Sequence, residues 1–508
     1  MKHEAHPDRP AGRGLRRLIA GLLAAAALLP PMPAPAQLPT LGDGSEMTVS
    51  AERRMGARIA RELYRDPDYL DDPVIAEYIQ GIWQPLLAAA RTRGELTPEM
   101  DLGFAWEILF GRDVTVNAFA LPGGYLGVHL GLVGVVANRD ELASVLAHEL
   151  SHVTQRHISR LTSQQSRMAP WIMGAMILGA LVLSRSPDAG NAMIAGSQAL
   201  AAQSQLNFSR DMEREADRIG YGVMTQAGFD PRGFVTMFDK LQQAARLNDT
   251  GSFPYLRTHP MTTERIGDMQ SRQELAVRPA AAPPSMEHAM MAARARALAA
   301  TAVDALRARV SEASLPGLAT QPAARQAAVL YAAVLAQVKQ RDYAAAQALL
   351  ARLVMVTAAE PVPARLTRLL SAEVALDSGE PQRVATLVDP VALNRPDALL
   401  TAQAGLRTGQ AGAVAQQMQT WVAKDPRDAT AWQLLSAAYA AQGLGLRSIR
   451  ASAEAQVAVL DYAAALDRFK AAQDLVRKGG NIDHIEASII DTRAREVELL
   501  LREQAPER

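Results

Sequence analysis

The segment Asn138-Arg139-Asp140-Glu141-Leu142-Ala143-Ser144-Val145-Leu146-Ala147-His148-Glu149-Leu150-Ser151-His152 sets the chemistry of this 508-residue chain. Asn138, followed three residues later by Glu141, is a helix start of the capping-box kind. Leu142, Val145, Leu146, Leu150 and Val153 recur at helical spacing, which predicts a helix with one face turned inward. His148 and His152 are four apart and share a face of that helix. Two imidazoles so placed grip one zinc ion, in the pattern H-E-x-x-H. Glu149 lies about 100° further round, where it reaches a water beside the metal without ligating it. Cys is absent, so disulfides, thiolate sites and Cys nucleophiles are excluded and any metal must be held by His and carboxylate.

Further along, Ser209-Arg210-Asp211-Met212-Glu213-Arg214-Glu215-Ala216-Asp217 places Glu213 and Asp217 four apart on a second predicted helix. Alone, such an acidic cluster reads as an exposed charged face. In one domain with H-E-x-x-H it supplies the missing ligand, giving two His and one Glu with the fourth position left for water. The candidate ligands are therefore His148, His152 and Glu213, for one Zn2+ per chain. The candidate catalytic residues are Glu149, as general base, and Asp217, which fixes the tautomer of a ligand His by accepting from its other nitrogen. Glu215 reads as structural. His157, five residues past His152, rotates off the metal face, and it and His129 read as structural or exposed.

Lys+Arg and Asp+Glu are both 53, and the zero net charge argues against a nucleic-acid partner. With 21% charged and 49% hydrophobic residues, the chain is neither disordered nor a multi-span membrane protein. Arg13, Arg16 and Arg17 precede an apolar run from Leu18 to Leu29, then Pro30 and Ala34-Pro35-Ala36. This predicts a secretory signal cleaved after Ala36, since the core has ~12 residues where a span needs ~20, and hence a periplasmic protein. Helical periodicity marks 50–65 and 73–92, and strand-like segments lie around 102–109 and 113–133. Within the latter, alternating apolar residues flank Pro122-Gly123-Gly124, a hairpin. Met168 to Leu183 is free of charge but short for a span. It reads as a hydrophobic flap that covers the cleft or makes a peripheral membrane contact, with core burial as the competing reading.

Pro279, Pro283 and Pro284 mark a linker, after which the pattern is Ala/Leu-rich and helical to the end. Trp432, Leu435, Ser436 and Tyr439 have the spacing of the first helix of a tetratricopeptide repeat. Asp342-Tyr343 with Ala346 and Leu350, and Asp461-Tyr462 with Ala465 and Phe469, resemble second helices. The predicted fold is mainly α, an α+β zincin-like metalloprotease domain with a small sheet followed by an all-α tetratricopeptide-repeat solenoid. The predicted division is 1–36 signal, 37–275 metalloprotease domain, 276–287 linker and 288–508 helical repeats.

The two motifs resemble those of the HtpX-type and CAAX-prenyl-protease-type zinc metalloproteases, the gluzincin group with a Glu third ligand. Export signal, protease domain and C-terminal repeats together look most like the periplasmic BepA branch. The resemblance covers about 45–275 by motif and 288–508 by architecture. It implies that His148, His152 and Glu213 bind zinc and that Glu149 is the catalytic base. The hairpin is similar to the family's edge strand beside the zinc, to which an extended substrate adds by main-chain hydrogen bonds. This makes Asn117, Ala118, Phe119, Gly123 and Gly124 the expected substrate-binding residues. His259, in Arg257-Thr258-His259-Pro260, is similar to a loop His that takes zinc's fourth position and holds the enzyme off, and Arg265 is a candidate oxyanion contact. The implied function is a periplasmic endopeptidase with a repeat-mediated chaperone or adaptor role in outer-membrane protein assembly and quality control. Its implied partners are unfolded or stalled outer-membrane β-barrel proteins and the β-barrel assembly machinery. The alternative is a chaperone or scaffold with a latent, His259-plugged zinc site.

Overall fold

Small polar side chains start the helices of the first half. Thr48, Asp72 and Thr97 cap α1 (Val49–Tyr64), α2 (Pro73–Thr92) and α3 (Pro98–Gly103), each accepting a backbone N–H three residues on. The computed structural model describes residues 47–164, 210–246, 252–274, 285–389, 394–479 and 483–504. The expected signal sequence, the 168–183 stretch and residues 276–284 of the expected linker lie outside the described residues. Four strands, β1 (Tyr69–Leu70), β2 (Glu107–Gly111), β3 (Ala118–Leu121) and β4 (Tyr125–His129), form one sheet in the order β1-β2-β4-β3. β2 and β4 are parallel, and the other two pairs are antiparallel. β3 and β4 make the expected hairpin around Pro122–Gly124. The strand-like reading ran too far at both ends, since Leu102 and Gly103 close α3 and Leu130–Val135 forms a helix, α4.

Asn138 caps α5 (Arg139–Thr154), which carries H-E-x-x-H. Its Oδ1 accepts from Glu141 N at 2.8 Å, while Glu141 Oε2 accepts from Ala137 N at 2.7 Å. Every residue of α5 from Glu141 to Thr154 is buried, not one face only. The reason lies in the small residues between the predicted apolar positions, Ala143, Ser144, Ala147 and Ser151, which let neighbours close on the remaining faces. β3 lies on one side of α5. After α6 (His157–Gln164), helices α7 (Arg210–Gln226) and α8 (Arg232–Arg246) pack on others. The short α9 (Tyr255–Thr258) and then α10 (Thr263–Glu274) complete this half.

Among its described residues, the second half is built of helices without strands. It comprises α11 (Met286–Ala299), α12 (Val303–Ala313), α13 (Ala323–Lys339), α14 (Tyr343–Thr357), α15 (Pro361–Asp377), α16 (Val384–Leu387), α17 (Arg395–Arg407), α18 (Ala411–Lys424), α19 (Ala429–Ala441), α20 (Gly445–Ala458), α21 (Tyr462–Arg477) and α22 (His484–Gln504). Met286 and Glu287, read as linker, belong to α11 because Ser285 Oγ accepts from His288 N and starts the helix there. One apolar cluster runs from Val49 through Leu146 and Met290 to Ala404, so the halves share a core. No helix among the described residues is long and apolar enough to cross a membrane.

Three arginines of the second half clasp the start of α2. Arg294 binds Asp72 (2.7 Å) and Glu373 (2.8 Å), Arg365 binds Glu77 (2.8 Å) and Asp397 (2.6 Å), and Arg395 binds Asp71 (2.6 Å) and Asp428 (2.8 Å). The Arg294–Asp72 pair is buried, and Asp72 Oδ1 also caps Ile75 N at 2.8 Å. Removing one partner of a buried pair leaves an uncompensated charge. Arg294→Met is therefore expected to cost about 3–5 kcal/mol. Arg91→Ala, which breaks the exposed pair with Asp101, should cost under about 1 kcal/mol. Urea unfolding midpoints of the two variants check this ranking.

Candidate metal centre

α7 crosses α5 at Gly220, where a Cβ would stand only 3.1 Å from Ala147 C and O and 3.2 Å from His148 N. Without a side chain there, the helices approach backbone to backbone. Glu213 and Asp217, on the turns before the crossing, are thereby carried onto the two histidines. Both are buried, as are His148, Glu149 and His152.

Four donors converge. His148 Nε2 lies 3.0 Å from His152 Nε2 and 3.4 Å from His259 Nδ1. Glu213 Oε1 lies 3.0 Å from His259 Nδ1 and 3.5 Å from His152 Nε2, and Glu213 Oε2 lies 3.5 Å from His148 Nε2. One ligand atom from each residue falls within a group spanning 4.8 Å. A tetrahedral zinc site with ligands at ~2.0–2.1 Å sets its donors roughly 3.3 Å apart, and these spacings match. Three imidazole nitrogens and a carboxylate facing one another are lone pairs turned inward, and a cation satisfies all four. The residues present therefore fit zinc.

Burial and the surrounding charges act on these donors in opposite directions, favouring an ionised Glu213 and a neutral His152 but a protonated His148, whose proton a metal must displace. Burial pushes the Glu213 carboxyl up, but His259 and the other imidazoles outweigh it and hold it well below the usual carboxylate range. Burial, then the neighbouring His148, pushes His152 well down, so it stays neutral as a ligand must. Burial lowers His148, yet Asp217 and Glu213 overcome this and push it up to about 9. His148 Nδ1 lies 2.9 Å from Asp217 Oδ1, and Asp217 is gripped by Arg265 from Nε (2.6 Å) and Nη2 (2.8 Å). Asp217 thus touches the candidate ligand and an arginine rather than the cleft.

Glu149 Oε2 accepts from Ala120 N of β3 at 2.9 Å. Its Oε1 is buried without a hydrogen-bond partner and lies 3.5 Å from His259 Nε2. His259 follows α9 and stacks on Tyr255, with centroids 4.6 Å apart.

Other expected site residues are placed differently. Arg265 is not free to meet an oxyanion, since it also binds Glu213 Oε2 (2.8 Å) and Pro260 O (2.9 Å) while buried. Gly123 and Gly124 have φ of 70° and 82° and sit against Arg53 and Glu52 on one side and Phe104 to Trp106 on the other. Gly123 O is already bound to Ala105 N at 2.8 Å. They make the turn rather than a substrate contact, because only glycine takes that conformation freely. Asn117 is buried with its carbonyl accepting from His129 N, Ala118 is buried in β3, and Phe119 is half-buried over Gly127. The sequence reading missed His157, which is fully buried with Nδ1 2.8 Å from His152 Nδ1, and whose own value burial pushes down to about 4. It also missed the Ala120 bond to Glu149. Neither follows from helical spacing, because α5 ends before His157 and β3 is far from Glu149 in sequence.

Residues 90–273 match Peptidase family M48. The segment is a Peptidase family M48 domain. That family is zinc-dependent, and the M48 domain contains all four converging donors and Glu149. Among curated proteins, the Beta-barrel assembly-enhancing protease of Escherichia coli (strain K12) is 35% identical over 266 residues, 51% of this chain and 52% of that protein. The protein of the same name from Yersinia pestis is 35% identical over 246 residues, 47% and 48% of the two chains. Mitochondrial metalloendopeptidase OMA1 of Saccharomyces cerevisiae is 30% identical over 196 residues, 38% and 54%. The chain spans about half the length of these relatives.

Gly220 is the contact on which the convergence turns. Gly220→Val places methyl groups against the α5 backbone and is expected to cost about 1–3 kcal/mol. Thermal unfolding should show that loss, and metal analysis should show less zinc per purified chain than in the unsubstituted protein.

Proposed function

We propose that this chain is a periplasmic zinc-dependent endopeptidase acting on misassembled outer-membrane β-barrel proteins, with its helical second half working as tetratricopeptide-like repeats that hold clients. The observation that carries the hydrolase reading is the convergence of His148, His152 and Glu213 beside a buried glutamate with one unpartnered oxygen. The β-barrel clients, the link to barrel assembly and the envelope location rest on the relatives named Beta-barrel assembly-enhancing protease. The division into protease and repeat parts rests on the M48 match ending at residue 273 and on the helices from Met286 onward.

In this reading His148, His152 and Glu213 hold the metal. Zinc, when bound, supplies a Lewis acid that polarises a peptide carbonyl and brings a water's pKa toward ~7. Glu149 is held at Oε2 by the Ala120 N–H, which aims Oε1 at the site. Oε1 takes the proton from the attacking water and gives it to the leaving amine. β3 is a sheet edge next to this base, so an extended chain added there lies across Glu149. Ala118, whose backbone faces away from β4 as that of Ala120 does, is the strand position offered to it, with the Phe119 side chain beside it. Asp217, clamped by Arg265, orients His148.

His259 is the regulatory element. Its Nδ1 stands where the fourth donor belongs and its Nε2 faces Glu149, so the place of the water is taken. The same contact favours the second reading, a chaperone or scaffold with a latent site.

Glu149→Gln is expected to cut kcat/KM on an unfolded β-barrel substrate by about 10²–10⁴-fold with zinc content unchanged. Chelation should abolish cleavage and added zinc restore it, while His259→Ala should raise kcat/KM. Absence of cleavage by both the unsubstituted chain and His259→Ala, with client binding intact, would establish the scaffold reading instead.

A further inference from the structure

We infer that His157 and Glu215 are positioning residues for the candidate ligand His152, forming a hydrogen-bond chain that fixes its tautomer and runs from the metal centre to the protein surface. This rests on the reading of the site as a zinc centre. The chain is continuous, with His152 Nδ1 2.8 Å from His157 Nδ1, His157 Nε2 3.1 Å from Glu215 Oε2, and Arg160 Nη1 donating to that same oxygen at 2.8 Å.

Its direction follows from the inventory of donors. A neutral imidazole has one N–H and one lone pair. His152 Nε2 points into the cluster of four donors, so its lone pair is spent there and its proton sits on Nδ1. That N–H donates to His157 Nδ1, which must then be the acceptor. His157 therefore carries its proton on Nε2 and donates it to the Glu215 carboxylate. Arg160 holds the carboxylate charged and in place. Each bond leaves one arrangement for the next.

The two helix ligands are thus backed in parallel ways. His148 has a carboxylate, Asp217, directly behind it with Arg265 behind that. His152 has a carboxylate, Glu215, behind an intervening imidazole, with Arg160 behind that. Glu213, Glu215 and Asp217 alternate along one helix, so little more than one turn of α7 supplies a donor to the cluster and the far support of both histidines. The intervening His157 is needed because Glu215 points away from the face that carries Glu213 and Asp217. The Glu215 side chain is 29% exposed and Arg160 is 41% exposed, so this chain ends at solvent, whereas Asp217 and Arg265 are buried.

The test uses the full-length protein and zinc alone, with affinity measured by competition against a chromophoric chelator. The visible spectrum of the cobalt-substituted protein is recorded alongside. His157→Phe keeps a ring but offers no acceptor. It should weaken zinc binding by about 10–100-fold and change the cobalt spectrum while the protein remains folded. Glu215→Leu should weaken zinc binding and change the spectrum in the same sense. Glu215→Gln keeps an acceptor oxygen for His157 and should retain affinity within about threefold. Should His157→Phe fail to fold, the Glu215 pair alone decides. Zinc affinity and cobalt spectrum unchanged in Glu215→Leu and in any folded His157→Phe, with zinc bound by the unsubstituted chain, would overturn the inference. A chain that binds no zinc before any substitution overturns the metal-centre reading itself.

Discussion

One buried carboxylate, Glu213, faces three imidazoles, with Glu149, Asp217 and Arg265 buried beside them. An anion in that position is stable only because positive charge or a metal answers it, and the local architecture follows from meeting that condition. α5 is buried on every side because it must bring two histidines to the centre. α7 must touch it at Gly220 to deliver the glutamate. β3 must lie close enough for the Ala120 N–H to hold Glu149. Each element brings lone pairs together away from water, and Glu149 Oε1 is left there without a hydrogen-bond partner.

The legible part of the sequence was what depends on spacing within one element. His148, Glu149 and His152 share a helix, and their relation is fixed by helical geometry alone. The same holds for Glu213 and Asp217, for the Asn138 cap, and for the hairpin turn at Pro122–Gly124. What stayed hidden depends on contacts between elements. His157 sits just beyond the end of α5, where helical angles no longer apply, and its contact with His152 depends on how the chain turns at Arg156, which has a φ of 52°. Arg265 looked available for chemistry because a sequence does not reveal that two carboxylates already occupy its guanidinium. Gly123 and Gly124 looked like open backbone beside a substrate, yet α1 and Phe104 cover them.

Charge is used differently at the join between the halves. Arg294, Arg365 and Arg395 each take one carboxylate from near the start of α2 and one from the helical array, so every bond to one partner fixes the guanidinium for the other. Their directional fit sets the register, while the shared apolar cluster supplies the cohesion. Asp72 does two jobs with one carboxylate, capping α2 and receiving Arg294, which ties the start of a helix to the seating of the second half.

That common core has a mechanical consequence. Leu146 and Leu150 of α5 belong to the same packed cluster as Met290, Tyr331 and Leu370. Helices α11 to α17 therefore share one packed core with α5. Any swing of these helices against α5 would expose apolar surface to water, so hydrophobic burial itself sets their orientation to the helix of His148 and His152.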